Sequence, residues 1–309
     1  MDGVAKVIGC WRWFVTVLCD SNFRKLRQEV EDLDVYDRHN ILRPRKEVEW
    51  CEWHLNINEN DRAIKIAAEF HQDFEKIKPS SSIVDQIDII EETFLKFMPD
   101  TSDWNKIRTC FKKAREQDNP LMIVKAYTVS TDVTHSLNKN SAANTYHTLK
   151  LYCTLLNCPI LARTQEYTEA FTKILFHPKL QQYLIRQETV YRGIVLHDKK
   201  LLDNYNRGGI IITTTFLSAS TDPEVASRFS HPGPGNAISV HCIYHINNTN
   251  RRTALDLKNL SIFPDEREIL ILRYVPFEIK SVERTDDGRR VNICLDECKE
   301  ESTVQENRF

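Results

Sequence analysis

The chain has 309 residues, of which 41% are hydrophobic and 28% charged, so it can bury a sizeable core as one large domain or two ordinary ones, and we read it as two. That balance excludes collagenous, disordered and membrane-embedded classes. With 42 Lys and Arg against 44 Asp and Glu the net charge is -2, so no global field draws the chain to nucleic acid or to an anionic membrane.

In chain order, the opening is fairly apolar, but Asp2 begins it and Arg12 interrupts it, which fits neither a signal peptide nor a spanning helix. No transmembrane segment is expected, and the expected compartment is the cytoplasm. Arg43-Pro44-Arg45-Lys46 and Lys112-Lys113-Ala114-Arg115 are basic clusters of the kind that decorate a solvated face. Between them, Ile64, Ala67, Phe70 and Phe74 recur at helical spacing within 61–77, and Ile83, Ile87, Ile90 and Phe94 do so within 82–97. Pro79 and three serines separate these helices. Residues 99–102 stop the second and supply an N-cap for a third, which carries Trp104, Ile107 and Phe111. The run from Glu116 to Pro120 reads as a boundary.

From Leu121 to about Tyr183 the pattern stays helical, with Ile123, Val124 and Tyr127 on one stripe and Tyr167, Phe171, Ile174 and Leu175 on another. After Arg186 it changes. Residues 189–196, 210–217, 237–246, 267–272, 277–282 and 290–295 are short and rich in β-branched or aromatic side chains, which is strand composition. Turns are supplied by Gly208-Gly209, 232–236 and 286–288. A helical half followed by a strand-rich half is an α+β architecture, with a helical region over 1–118, a second unit over 119–299 and a polar tail at 300–309. The tail is not the hydrophobic segment that a lipid-anchor signal requires.

Nine cysteines lie far apart. Only Cys294-x-x-x-Cys298 has a spacing that hints at zinc, and no histidines follow at finger distance, so reduced, mostly buried thiols are expected. Dinucleotide and phosphate fingerprints are missing: Gly233-Pro234-Gly235 lacks the third glycine and the helix of a Rossmann turn, and there is no P-loop, His-Glu-x-x-His or Gly-x-Ser-x-Gly.

Three short motifs in the strand-rich half carry the chemistry. Val190-Tyr191-Arg192-Gly193 puts a guanidinium on an otherwise apolar strand, beside a glycine that permits close backbone approach. Thr215-Phe216-Leu217-Ser218-Ala219-Ser220 is a strand ending in two hydroxyls. Phe263-Pro264-Asp265-Glu266-Arg267-Glu268-Ile269 brings two carboxylates into an apolar strand, where a period of two puts Glu266 and Glu268 on one side. Each motif alone is commonplace: a surface arginine, a strand end, a solvated face.

Their order is not commonplace. Arginine, serines and glutamates in this sequence resemble the R-S-E signature of ADP-ribosyltransferases, closest to the arginine-specific branch that includes vertebrate ecto-enzymes, toxin relatives and invertebrate expansions. The resemblance covers about residues 119–296, including the helical Ala126-Tyr127-Thr128. It implies a catalytic domain over 119–299, built of two packed, mostly antiparallel β-sheets with surrounding helices. It also implies NAD as co-substrate, no metal, and a protein acceptor with an exposed arginine.

Residue by residue, the resemblance makes Arg192 the fork on NAD phosphate, which lysine cannot reproduce. Gly193 offers backbone hydrogen bonds to the nicotinamide amide. Ser218 orients the catalytic glutamate and the ribose, Ser220 supports the strand end, and Phe229 packs on nicotinamide. Glu268 is the catalytic glutamate that faces the developing oxocarbenium charge. Glu266 orients the acceptor guanidinium and takes its proton, and Phe263 stacks on that guanidinium. Two departures stand out: Ala219 replaces the usual threonine of the serine motif, and Pro232 occupies the place of an arginine for which Arg228 is the candidate substitute. Tyr191 and His241 read as packing residues or as supports behind the site, and not as catalysts.

The reaction expected is transfer of ADP-ribose from NAD to arginine with release of nicotinamide. The alternatives are an NAD glycohydrolase, in which water is the acceptor, a scaffold module that kept the fold and lost the reaction, and a generic α+β ligand-binding domain. Oligomeric state is not written in the sequence.

Overall fold

A computed structural model of the chain describes residues 54–57, 60–98, 103–150, 159–196, 202–203, 205–231, 237–247, 251–285 and 288–299. The apolar opening, the basic run at 43–46, the helix stop at 99–102, the turn at 232–236 with its Pro232, and the tail at 300–309 lie outside these residues.

Strand β1 (His54–Ile57) precedes the helices α1 (Asn60–Glu75), α2 (Val84–Thr93), α3 (Trp104–Gln117), α4 (Pro120–Val129), α5 (Thr131–Lys150) and α6 (Pro159–Leu175). The strand-rich half follows as β2 (Glu188–Leu196), β3 (Ile210–Thr213), β4 (Leu217–Ser220), helix α7 (Pro223–Phe229), β5 (Ile238–Ile246), β6 (Ala254–Asp256), β7 (Glu268–Ile271), β8 (Pro276–Arg284) and β9 (Arg290–Glu297). The α+β class expected from the sequence is the class observed.

The helices follow the apolar spacing but end where side chains dictate. Helix α2 stops at Phe94, short of the expected 97, and a 3-10 turn takes Leu95–Phe97. There the Phe94 ring stacks on Tyr167 at 4.6 Å and meets Phe171 edge-on at 6.2 Å. The expected boundary at 116–120 is a tight corner. Asp118 closes α3 in the left-handed conformation (φ 47), and the Asn119 side chain accepts from the Leu121 amide to cap α4, whose first residue is Pro120. Asp118 also accepts from the Ile83 amide, the Ser82 hydroxyl and Lys179, so one carboxylate ties α2, α3 and the 3-10 helix Pro178–Tyr183 together.

Among the described residues, nine strands form one hydrogen-bonded sheet in the order β1-β3-β8-β9-β5-β2-β4-β7-β6, parallel only between β5 and β9. Where two packed sheets were expected, the layers are joined by the β2–β4 pairing, which consists of Tyr191 opposite Ser220 alone. Strand alternation divides the core accordingly. Ile210, Ile212, Leu270 and Leu272 turn to a cluster shared with the helices, including Phe74, Ile90, Phe111 and Phe171. Their neighbours Ile211, Ile269 and Ile271 turn to a second cluster with Val190, Tyr244, Phe277 and Ile293, enclosed by the sheet. Helices α1 to α3 therefore share their core with residues of the strand half.

Two buried polar residues knit the elements. His54 meets the hydroxyls of Tyr205 at 2.8 Å and Tyr244 at 2.9 Å, and burial, helped by Arg192, depresses its pKa to about 3, so the ring is neutral. Fully buried Arg273 donates to the carbonyls of Ser141, Thr168 and Thr214 and to the hydroxyls of Thr145 and Thr172, fixing α5 and α6 to the turn between β7 and β8. Strands β1 and β6, four and three residues long, were not legible in the sequence. Among the described residues, no helix is long and apolar enough to cross a membrane.

Candidate active site

The three motifs meet at the β2–β4 junction. Registering Tyr191 against Ser220, and Ser220 against Glu268, brings β2, β4 and β7 side by side, so the arginine, serine and glutamate motifs occupy adjacent strands. A cleft of about 280 Å³ opens there, lined by Arg192, Gly193, Ser218, Ser220, Phe229, Glu266 and Glu268 among others. Tyr191, Ile194, Val195, Ala219, Val225 and Ala226 complete the wall. Of these, Tyr191 was read from the sequence as a packing or supporting residue and not a catalyst; its half-buried side is part of the cleft. Phe263 is not among the lining residues. It stands 51% exposed at the head of the 3-10 turn Pro264–Glu266.

Ser218 is the hinge of the arrangement. Its hydroxyl donates to Glu268 Oε1 at 2.7 Å, and its carbonyl accepts from a terminal nitrogen of Arg192. Glu268 is only 7% exposed, so its carboxylate is pinned in a site largely shielded from water. Arg192 has spent one donor on the protein, while its buried Nε has no partner. A buried guanidinium N–H left without an acceptor is costly, and an anionic oxygen reaching the cleft relieves that cost.

The two glutamates are not on one continuous strand. Glu266 ends the 3-10 turn, Arg267 takes the left-handed conformation (φ 46, ψ 48), and β7 begins at Glu268. The strand period therefore does not account for their common orientation. A backbone reversal at Arg267 does, held by the Ser220 hydroxyl donating to the Glu266 carbonyl at 2.7 Å. The same Ser220 oxygen accepts from the Asp222 amide, and Asp222 in turn caps α7 through the Glu224 amide, so Ser220 serves both walls. Glu266 is held above the usual carboxylate range, first by partial burial and then by the negative charge of Glu268, with Arg228 opposing. Arg228 thus lies within electrostatic reach of Glu266 from the exposed face of α7.

Gly193 has a reason beyond its backbone groups. A Cβ at this position would sit 1.8 Å from the Ala226 carbonyl oxygen, so only glycine lets α7 lie against β2 and close the cleft. His241 is a packing residue, as expected. Its Nε2 meets the hydroxyls of Ser230 at 2.8 Å and Ser239 at 3.1 Å, securing the end of α7 just after Phe229. Phe229 itself ends that helix, 59% exposed at the cleft.

Sequence reasoning missed the brace behind the serine motif. Asn138 donates to the Tyr127 hydroxyl at 3.0 Å and accepts from Thr215 at 2.9 Å, and the Tyr127 ring meets Phe216 edge-on at 6.2 Å. Tyr127 was singled out, but its partner Asn138 carries no motif. Burial raises the Tyr127 pKa, so the phenol stays protonated.

No curated protein sequence matches the chain. Similar solved structures include a type III effector, XopAI, from Xanthomonas axonopodis pv. citri (14% identity, 84% of this chain and 98% of that one covered, TM-score 0.47). The ADP-ribosyltransferase Vis of Vibrio splendidus in complex with agmatine (18%, 82% and 91%, 0.40) and exoenzyme S of Pseudomonas aeruginosa bound to carba-NAD (16%, 72% and 94%, 0.40) are also similar. Residues 90–303, more than half of the chain, match the family model described as NAD:arginine ADP-ribosyltransferase, and the chain belongs to that family.

Proposed function

We propose that the protein transfers ADP-ribose from NAD to the guanidinium of an arginine in an acceptor protein, releasing nicotinamide, with Glu268 as catalytic residue and Glu266 as the acceptor's base. The observation that carries this reading is the linked set Arg192, Ser218 and Glu268, with one buried guanidinium nitrogen unpartnered beside a pinned carboxylate.

Each residue has a task that its position supports. The free Nε edge of Arg192 holds a phosphate oxygen of NAD, and Phe229 offers an aromatic face to nicotinamide at the mouth of the cleft. As the glycosidic bond lengthens, positive charge grows on the ribose. Glu268, held by the Ser218 hydroxyl, faces that charge in a water-poor site without having to reorganise. The acceptor guanidinium arrives protonated, with a pKa above ~12, and is no nucleophile until it loses a proton. Glu266 accepts that proton as the new carbon–nitrogen bond forms, and Phe263 stacks on the guanidinium plane. Residues 119–299 make up the catalytic unit in this reading, the helices before them contributing core, and the reaction chemistry calls for no metal.

Incubating the full chain with labelled NAD and a broad protein mixture, then mapping the modified side chain, tests the proposal. Label on arginine supports it. Nicotinamide release without labelled protein overturns it in favour of the glycohydrolase, and no NAD turnover at all overturns both in favour of a scaffold module.

A further inference from the structure

We propose that His245, Cys294 and Asp296 form a zinc-binding site on the open face of the sheet, separate from the cleft. The three side chains project from adjacent strands: His245 from β5, Cys294 and Asp296 two residues apart on β9. The parallel pairing sets His245 opposite Asp296 and Ile243 opposite Cys294, so strand alternation puts all three on one face. Their ligand atoms all lie within 4.8 Å of one another, and all three residues are half-buried. This is the separation that small side-chain rotations close to ligand–ligand distances of ~3.5 Å around an ion with bonds of ~2.0–2.3 Å.

A second observation supports an ion and not a chance cluster. Thr189, opposite His245 on β2, places its hydroxyl 3.0 Å from His245 Nδ1. A histidine ligand usually has one ring nitrogen held by such a partner, which fixes the tautomer and leaves the other nitrogen's lone pair for the metal. With the Thr189 hydroxyl accepting from Nδ1–H, the Nε2 lone pair is left for that role. Asp296 pairs with Lys280 only at 3.9 Å, and the same ammonium lies 2.7 Å from Glu278, which keeps Lys280 paired when a metal takes Asp296.

The donor set selects the ion. One imidazole nitrogen, one thiolate and one carboxylate suit zinc, whereas calcium and magnesium prefer oxygen alone. Three protein ligands leave a fourth position open to water or to another donor. The sequence hint of Cys294 with Cys298 points to the right strand and the wrong partner. Cys298 lies past the end of β9 and packs with the helix-facing core, and its place is taken by His245, 49 positions before Cys294, which only the parallel β5–β9 pairing brings near.

The site joins β9, β5 and, through Thr189, the strand that carries Arg192 three residues later. Its chemistry is binding, with no step in the transfer reaction.

The test is titration of the reduced full chain with zinc by calorimetry and with cobalt by absorption. One equivalent of zinc with a Kd at or below the micromolar range is expected, and cobalt should give a thiolate-to-metal charge-transfer band. Cys294→Ser should abolish that band, Asp296→Asn should weaken zinc by at least ~10-fold, and Thr189→Val should weaken it by ~10-fold. Cys298→Ser serves as the control and should leave the band and the affinity unchanged. NAD-dependent thermal shift and circular dichroism report folding of each variant independently. No stoichiometric zinc binding by the folded wild type overturns the site. So does a charge-transfer band that survives in folded Cys294→Ser, or an affinity untouched in both Asp296→Asn and Thr189→Val.

Discussion

Ser218 holds Glu268 through its side chain and Arg192 through its main chain: the hydroxyl donates to Glu268 Oε1 at 2.7 Å, and the carbonyl accepts from the Arg192 guanidinium. One residue thereby sets the spacing between the Arg192 guanidinium and the Glu268 carboxylate, the two charges assigned to phosphate and ribose in the proposed reaction. Glu268→Gln keeps the shape and removes the negative charge, so both nicotinamide release and transfer should fall by ~10²-fold or more. Ser218→Ala should fall less, because the charge remains and only its orientation is lost. Steady-state nicotinamide release by purified variants checks this, and near-normal turnover in Glu268→Gln removes Glu268 from the chemistry.

The free Nε of Arg192 leads to a binding prediction. A ligand that binds only the folded state raises the melting temperature by mass action, so NAD should stabilise the wild type. Arg192→Lys replaces a planar fork with a point charge, which cannot serve Ser218 and a phosphate in the same plane. The NAD-induced shift should shrink markedly in this variant while the melting temperature without NAD changes little. Equal shifts in the two proteins would move Arg192 out of the NAD site.

Gly193→Ala tests the close approach of α7 to β2. With a backbone oxygen 1.8 Å from the new Cβ, the helix must move, and overpacking of this kind costs about 3 kcal/mol or more. Because Val225, Ala226 and Phe229 line the cleft from that helix, NAD affinity should drop together with stability. Thermal unfolding with and without NAD measures both. A variant as stable as the wild type, with NAD binding intact, shows that α7 is not held by this contact.

Arg273 was invisible to motif reasoning, since nothing in Leu272-Arg273-Tyr274 announces a buried cation. Its five donors are met by three carbonyls and two threonine hydroxyls, with no carboxylate among them. Arg273→Met strips these acceptors of their partner in a dry interior and should destabilise the fold by about 3–5 kcal/mol, read as a lowered denaturant midpoint. An unchanged midpoint would show that water replaces the guanidinium without loss.

These residues also show what the sequence could and could not convey. The candidate site was legible as three motifs around Arg192, Ser218 and Glu268, which the pairing of β2, β4 and β7 brings together. The backbone around them was not. The Glu266–Glu268 pair reads as a strand by period, and only the left-handed Arg267 shows that it is a turn entering a strand. Long-range partners such as Asn138 for Tyr127, or Thr172 for Arg273, leave no local trace, because the pairing is decided by packing of helices on the sheet. Strands β1 and β6 were missed for the same reason: their pairing with β3 and β7 defines them, not a strand-rich local run.

Glu266 gives the prediction that separates transfer from hydrolysis. Partial burial and Glu268 raise its pKa above the ordinary 4.5, so it binds a proton more readily folded than unfolded. The sign for stability follows: the ionised form is disfavoured in the fold, so a small penalty appears as pH rises through the window from 4.5 to the raised value and stays above it. Glu266→Gln removes that penalty and should melt at or slightly above the wild type at neutral pH, the difference vanishing below pH 4.5. For activity the sign is opposite, because only the carboxylate can take the guanidinium proton. Transfer to arginine should fall as pH drops through the raised pKa of Glu266, while nicotinamide release to water, which needs no such base, persists further into acid. Glu266→Gln should accordingly lose arginine labelling by ~10²-fold yet keep much of the water reaction, across the whole pH range. Labelled-protein yield and nicotinamide release, measured in parallel against pH for both proteins, decide the matter. If the two activities fall together in Glu266→Gln, Glu266 belongs to the cleavage step and not to the acceptor.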